Sequence, residues 1–515
     1  MLVALLVLGG GGTAAVSVLR SHAADTARRD AAQRFLTAWD RQDYAAMWRA
    51  LSAASRAGHG EREVARAYQA AARAAGVRTV RTGPLGKTTG GAARVLVAVT
   101  TARFGTLRGT VRLPLEGSGK DAGITWDASL RLPGLRPGEP VRLRRGTPPR
   151  RGSILAGDDS PLAADTLGAS IAGTVGPPAT GLQRLYSDRL AGHPSQRLLF
   201  GTRVIRKIPA TPGRSLRTTI RPALQRQAAA ALGGRVGGVA VVRPDDGAVL
   251  ALAGLAVSAP QPPGSTFKII TLATALQDGI AKSSSSYPVR TFATLSGTRL
   301  RNASDESCGG TLANAFALSC NSVFAPLGAK LGARRLVASA RAFGFGEEPK
   351  VPAVKPSTVA DAAQLRDDLA VGAAAIGQER DLATPLQMAT VAATIGAGGV
   401  RARPHLARTD TVVRRRVVSR TVAHQVRAMM LQVVRSGTGT AAALPGVEVA
   451  GKTGTAELRP TAGGAPDPKN TDAWFVAFAP ASHPTVAVAV MLVGAGAGGK
   501  AAAPIARQVL QAALR

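Results

Sequence analysis

Pro263-Gly264-Ser265-Thr266-Phe267-Lys268-Ile269-Ile270 closes a loop with Pro-Gly and opens an apolar helical stretch that reaches Gln277. Positions three apart lie about one helical turn apart, so the Ser265 hydroxyl and the Lys268 amine share a face. A serine hydroxyl is a poor nucleophile until a neighbour takes its proton, and a desolvated, neutral lysine can do that. The helix start adds unpaired N–H groups and the positive end of the dipole where negative charge would develop. A Ser-x-x-Lys spacing arises about once by chance in a chain of this size, so context decides its meaning. The alternative is an N-cap serine beside a solvated lysine.

The flanking sequence supplies that context. Upstream, a helix over Arg221 to Leu232 precedes Val239-Ala240-Val241-Val242, a Pro244-Asp245-Asp246-Gly247 turn and Ala248 to Leu252, which together predict a hairpin. Downstream, Ser319-Cys320-Asn321 lies inside Ala313 to Leu327, a stretch with helical character. A bent or interrupted helix there would turn the Ser319 hydroxyl and the Asn321 amide into a cleft; otherwise they are ordinary polar residues. Farther on stands Val449-Ala450-Gly451-Lys452-Thr453-Gly454-Thr455-Ala456-Glu457, followed by strand patterns over Asp472 to Ala479 and Thr485 to Val493. On a strand, Lys452, Thr453 and Thr455 present a cation and hydroxyls to a carboxylate, and Gly454 is expected to let a substrate backbone approach. Taken alone, the same run is a solvated lysine in a glycine-broken edge strand.

The ordered set of Ser-x-x-Lys, Ser-x-Asn and Lys-Thr-Gly-Thr resembles the penicillin-recognising serine enzymes. Over roughly residues 150–515 the chain is similar to class B penicillin-binding proteins. Ala375-Ile376-Gly377-Gln378 and Ala383-Thr384-Pro385-Leu386-Gln387-Met388-Ala389 resemble that family's Gly-Gln segment and the helix after it. Arg151-Gly152-Ser153-Ile154 resembles the opening of its pedestal, and no glycosyltransferase-like stretch precedes the catalytic region, unlike class A. The resemblance implies an antiparallel sheet flanked by helices and a peptidoglycan D,D-transpeptidase that β-lactams acylate. In that reading Ser265 attacks the penultimate D-Ala carbonyl of a stem peptide, Lys268 is the general base, and Ser319 relays a proton to the leaving amine. Asn321 orients Lys268 and the substrate amide, Lys452, Thr453 and Thr455 hold the terminal carboxylate, and the N–H groups of Ser265 and Thr455 form the oxyanion hole. Cys308 and Cys320 would flank this segment; in an exported protein a bridge between them would stiffen it, the alternative being two buried thiols. No cofactor is implied, and the six histidines are scattered without metal-ligand spacing.

The 515 residues predict a multidomain α+β chain. The expected division is 1–22 as membrane anchor or signal, 23–140 as a small α+β domain, 141–215 as linker and pedestal, and 216–515 as the transpeptidase domain. Phe35-Leu36-x-x-Trp39-x-x-x-Asp43-Tyr44 and Ile124-Thr125-Trp126-Asp127-x-Ser129 make the second of these resemble an NTF2-like domain. Within it Val95, Val97 and Val99 would line one strand face, and Pro133 to Arg151 reads as a linker. The uncharged run Leu2 to Leu19 predicts a single-pass anchor with the catalytic region outside the cytoplasm; Ala23-Ala24 leaves a cleaved signal open, and a buried core helix is the third reading. Hydrophobic residues at 45% with aromatics at 4% require cores of Ala, Val and Leu and argue against base-stacking nucleic-acid modules. The net charge of +34 is spread along the chain, either a solvated surface or an attraction to acidic lipid and wall polymers. Expected partners are stem peptides, β-lactams, the membrane and a glycosyltransferase or a division or elongation protein, with no nucleic acid. Competing activities are a D,D-carboxypeptidase, a β-lactamase with Glu379 as its deacylating base, and a non-catalytic scaffold or sensor.

Overall fold

In this computed structural model the described residues are 11–378, 380–457 and 467–515. Glu379 and the first half of the expected anchor lie outside them. No helix among the described residues is long and apolar enough to cross a membrane.

The chain forms two compact units, Met1–Arg151 with Ala191–Gly213, and Gly152–Leu190 with Arg214–Arg515. These do not follow the expected boundaries. The stretch 133–151, expected as a linker, carries the strand Val141–Arg145, which pairs antiparallel with Gln196–Phe200. Val141 and Leu143 alternate with arginines and pack against the first unit's core, a period-2 pattern that the surrounding Pro and Arg residues obscure. The expected pedestal is therefore shared between the two units.

In the first unit, helices Gly11–Asp40, Tyr44–Arg49, Ala53–Gly58 and Glu61–Ala75 precede an antiparallel sheet built on Ala92–Thr101 and Thr106–Glu116. Val95, Val97 and Val99 are buried while Leu96 between them is 67% exposed, as strand alternation requires.

The second unit is organised by a five-stranded antiparallel sheet. Its strands are β1 (Gly237–Val242), β2 (Val249–Gly254), β3 (Ala450–Glu457), β4 (Thr471–Ala479) and β5 (Val486–Leu492), in the order β2-β1-β5-β4-β3. The β1–β2 hairpin pairs Val239 with Ala253 and Val242 with Val249. Both faces are covered, so the strands read as continuous apolar runs rather than alternating ones. Val239, Val241, Phe475, Ala477, Val488 and Val490 face one core with helices α1 (Pro222–Leu232) and α8 (Gly498–Ala513). Ala240, Val242, Trp474, Val476, Ala489 and Met491 face the other. That core contains α2 (Lys268–Gln277), α4 (Asn321–Leu331), α6 (Pro385–Gly396) and α7 (Arg420–Arg435); α3 (Leu312–Ala317) and α5 (Asp368–Ala375) complete it. Helix α2 is buried from Lys268 to Leu276, an apolar cylinder in the middle of the layer. The Ser-x-x-Lys run is thereby fixed between sheet and helices.

Candidate active site

Gly264–Phe267 forms one tight 3-10 turn that feeds α2. Gly264 has φ +50°, and its N–H donates to Gly377 O at 3.0 Å. A side chain at Gly264 would lie 2.7 Å from Thr455 O, and one at Gly377, where φ is +78°, would lie 2.1 Å from Gly264 O. The turn is thus wedged between β3 and the Ile376–Gly377 turn, with room for backbone only. Thr266 Oγ1 closes it onto Pro263 O at 2.7 Å. Of Gly264 to Lys268, Ser265 alone is not buried. The geometry presents one hydroxyl to solvent from an otherwise rigid turn.

The expected helix around Ser319 is interrupted. Helix α3 ends at Ala317, Ser319 takes the left-handed conformation at φ +63°, and Asn321 opens α4. That reversal turns Ser319 and Asn321 toward the amine of Lys268. Lys268 Nζ donates to Ser319 O at 2.6 Å and to Asn321 Oδ1 at 2.7 Å, with Ser319 Oγ at 3.3 Å. From β3, Lys452 Nζ donates to Ser319 Oγ at 2.8 Å and to Thr453 O at 3.0 Å. Three segments far apart in sequence therefore join in one hydrogen-bonded chain.

Both lysines are fully buried. Phe324 lies 5.7 Å from Lys268 Nζ, and Phe316 lies 5.5 Å from Lys452 Nζ. Burial pushes the Lys268 amine well below the ordinary lysine value, and the Lys452 charge beside it adds to the effect. Burial also brings Lys452 down to about 7. Two amines of this kind can divide the work: one neutral and able to take a proton, one still able to carry charge. Ser319 Oγ lies between them with one proton to give and two lone pairs to receive.

Around β3, Thr453 Oγ1 lies 2.6 Å from Thr438 Oγ1, and Thr455 Oγ1 accepts from Gly498 N at 3.4 Å. Gly454 has a packing role beside the one expected. A side chain there would come within 2.9 Å of Pro263 O, Thr266 Cγ2 and Trp474 Cβ, so its missing side chain admits the nucleophile's own turn. Cys308 and Cys320 are joined in a disulfide, their Cα atoms 5.8 Å apart, immediately beside Ser319 and Asn321.

The family model for the penicillin-binding protein transpeptidase domain matches residues 237–511. The chain belongs to that family, in class B. Peptidoglycan D,D-transpeptidase PbpA of Mycolicibacterium smegmatis is 35% identical over 410 residues, covering 66% of this chain and 81% of the relative. PbpA of Mycobacterium tuberculosis is 38% identical over 286 residues, covering 50% of this chain and 56% of that protein. Among solved structures, the D,D-transpeptidase domain from Eggerthella lenta is 30% identical with TM-score 0.61, covering 72% of this chain and 99% of that one. Penicillin-binding protein A from M. tuberculosis, as its ceftriaxone acyl-enzyme, is 29% identical with TM-score 0.60 over 71% and 99% of the two chains.

For this class B protein the structure brings Lys268, Ser319, Asn321 and Lys452 into direct contact and places the Ser265 turn against β3. Residues that motif reading passed over also build the site. Thr438 comes from Ser436-Gly437-Thr438-Gly439-Thr440, whose glycines were the signal: a side chain at Gly437 would lie 2.5 Å from Ala317 O. Gly377 stands out in the sequence only as part of a family segment. The Gly454 contacts yield a direct expectation: Gly454→Ala displaces the Pro263–Thr266 turn, slows β-lactam acylation about 100-fold and lowers stability by about 1–3 kcal/mol. Adduct formation by mass and a thermal melt measure the two effects. An alanine variant that acylates like its parent contradicts this packing role.

Proposed function

We propose that this chain is a serine D,D-transpeptidase that takes Ser265 through an acyl-enzyme with the D-Ala-D-Ala end of a peptidoglycan stem peptide. The observation that carries the reading is the hydrogen-bonded chain Asn321–Lys268–Ser319–Lys452, with Ser265, the one residue of its turn that is not buried, three positions before Lys268. Ser265 Oγ bonds to the penultimate carbonyl carbon as its proton passes to the neutral Lys268 amine. Backbone N–H groups of Ser265 and Thr455 receive the oxyanion charge. The proton then reaches the departing D-Ala nitrogen through Ser319 Oγ, and the C–N bond breaks. An acceptor stem amine reverses these steps and forms the cross-link. Protonated Lys452, with Thr453 and Thr455, holds the terminal carboxylate. β-Lactams enter the same path, consistent with the acyl-enzyme form of the M. tuberculosis relative.

The test has two parts. Penicillin should add one equivalent of mass, mapped to the peptide carrying Ser265. A D-Ala-D-Ala stem peptide with an acceptor amine should then give dimer rather than only the shortened peptide. Shortened peptide alone identifies a D,D-carboxypeptidase, and rapid release of opened drug identifies a β-lactamase. No adduct at all leaves a scaffold or sensor.

The lysines set a pH dependence. Lys452 must be charged to bind a carboxylate and titrates at about 7, so acylation of the free enzyme falls as pH rises through that value. Lys268 must be neutral, and its lowered value permits this below the ordinary lysine range. In Lys452→Arg the guanidinium keeps its charge, so the descending limb should vanish. A parent profile level through this range contradicts the assignment.

We also place the catalytic unit outside the cytoplasm on an anchor within residues 2–19, with an NTF2-like domain before it and a glycosyltransferase or a division or elongation protein as partner. Support comes from the uncharged N-terminal run, the small α+β unit and the substrate's location at the cell wall. Partitioning of the full-length chain into membranes tests the anchor.

A further inference from the structure

Between α2 and α3 the chain makes two small ladders. Ser286–Arg290 pairs with Cys308–Thr311, and inside it Phe292–Leu295 pairs with Thr298–Arg301. Asn302 leaves the inner hairpin and is 5% exposed. Its Nδ2 donates to Arg290 O at 2.7 Å and to Glu306 O at 2.8 Å, and its Oδ1 accepts from Ser322 N at 2.8 Å. One side chain therefore fastens the hairpin's entry and exit to the first turn of α4.

The adjoining bond carries the consequence. Arg301 O, one residue before Asn302, accepts from Asn321 Nδ2 at 2.7 Å, while Asn321 Oδ1 accepts from Lys268 Nζ at 2.7 Å. An asparagine amide has two orientations, and here its two ends face chemically opposite partners. Rotating it by half a turn would set oxygen against the Arg301 carbonyl and lose that bond, while its NH2 would occupy the lone pair that a neutral Lys268 needs as a base. The Arg301 carbonyl thus selects the orientation in which Lys268 meets an oxygen. Asn302, the next residue along the chain, is fixed by the three bonds of its side chain.

We propose that Asn302 is a positioning residue for acylation, acting through the Arg301 carbonyl on the orientation of Asn321 and so on Lys268. The proposal rests on the acylation reading above. The Cys308–Cys320 disulfide ties the outer ladder to the turn between Ser319 and Asn321 independently, so the hairpin keeps one tether when Asn302 is changed.

The test compares Asn302→Asp and Asn302→Ala with the parent in fluorescent-penicillin acylation, with and without Asn321→Ala. The aspartate is nearly isosteric, but its second oxygen opposes the Arg290 and Glu306 carbonyls. Either variant should acylate about 100-fold more slowly, through displacement of a group that touches the base. Slow but eventually complete adduct formation separates slowed chemistry from a misfolded fraction. In the Asn321→Ala background, changing Asn302 should add little, since the path through Asn321 is already gone. Losses that multiply in the double variant, or single variants as fast as the parent, overturn the positioning role. A parent with no adduct on Ser265 would instead overturn the acylation reading itself.

Discussion

Ser265→Ala is expected to abolish covalent β-lactam labelling and stem-peptide acylation, a loss of at least about four orders of magnitude, and to leave the fold intact. The reason is local. Ser265 is the one residue of the Gly264–Lys268 turn that is not buried, whereas the turn itself is held by Gly264 N to Gly377 O and by Thr266 Oγ1 to Pro263 O. Neither bond involves the serine hydroxyl, so its removal should shift stability by no more than about 0.5 kcal/mol. The amines of Lys268 and Lys452 and the hydroxyl of Ser319 stay in place, which makes the variant a strict test of which oxygen attacks. Ser319 Oγ touches both lysines and is the natural rival. A persisting adduct mapped to the Ser319 peptide would reassign the nucleophile and reverse the roles drawn here. An unlabelled variant with an unchanged melt fixes Ser265 as the acylated residue.

The sheet was legible because its chemistry is repetitive. Val239 to Val242, Asp472 to Ala479 and Thr485 to Val493 are apolar runs of strand length, and a sheet covered on both faces calls for such runs. The polar clusters were legible because Ser265, Lys268, Ser319, Asn321 and Lys452 bring their chemistry in their own side chains. Groups that act through backbone or through absence left little trace. Arg301 contributes a carbonyl that every residue possesses, and Asn302 is one asparagine among loop residues until its three partners are known. The contact of Gly454 with the nucleophile's turn is hidden too, since a sequence marks a glycine without saying which atom needs the space. Val141–Arg145 was hidden for a related reason: Pro and Arg around it signal a linker, while its partner Gln196–Phe200 lies about fifty residues on.

Lys268→Met separates catalysis from stability most sharply. The side chain is fully buried, and desolvation together with the nearby Lys452 charge disfavours its ammonium form. Methionine fills a similar volume without an amine and suits a wall formed by Phe324. The variant loses the bonds to Ser319 O and Asn321 Oδ1, which offsets the relief of removing a buried amine, so the melting temperature should change little or rise. Acylation should fall by about a thousand-fold or more, because no group remains to take the Ser265 proton. The sign of the pH effect adds a second readout. At a pH above the folded value of such a lysine and below its unfolded value, the unfolded chain binds a proton that the folded chain does not, so stability rises with pH. For Lys452 this window runs from about 7 to the ordinary value of 10.5. With Lys268 gone, one such group remains instead of two, and the pH slope of stability above neutrality should flatten. A variant that acylates at the parental rate assigns the proton transfer elsewhere. One whose stability collapses while its pH slope is unchanged shows that the Lys268 amine is bound in the fold as an ordinary charged group.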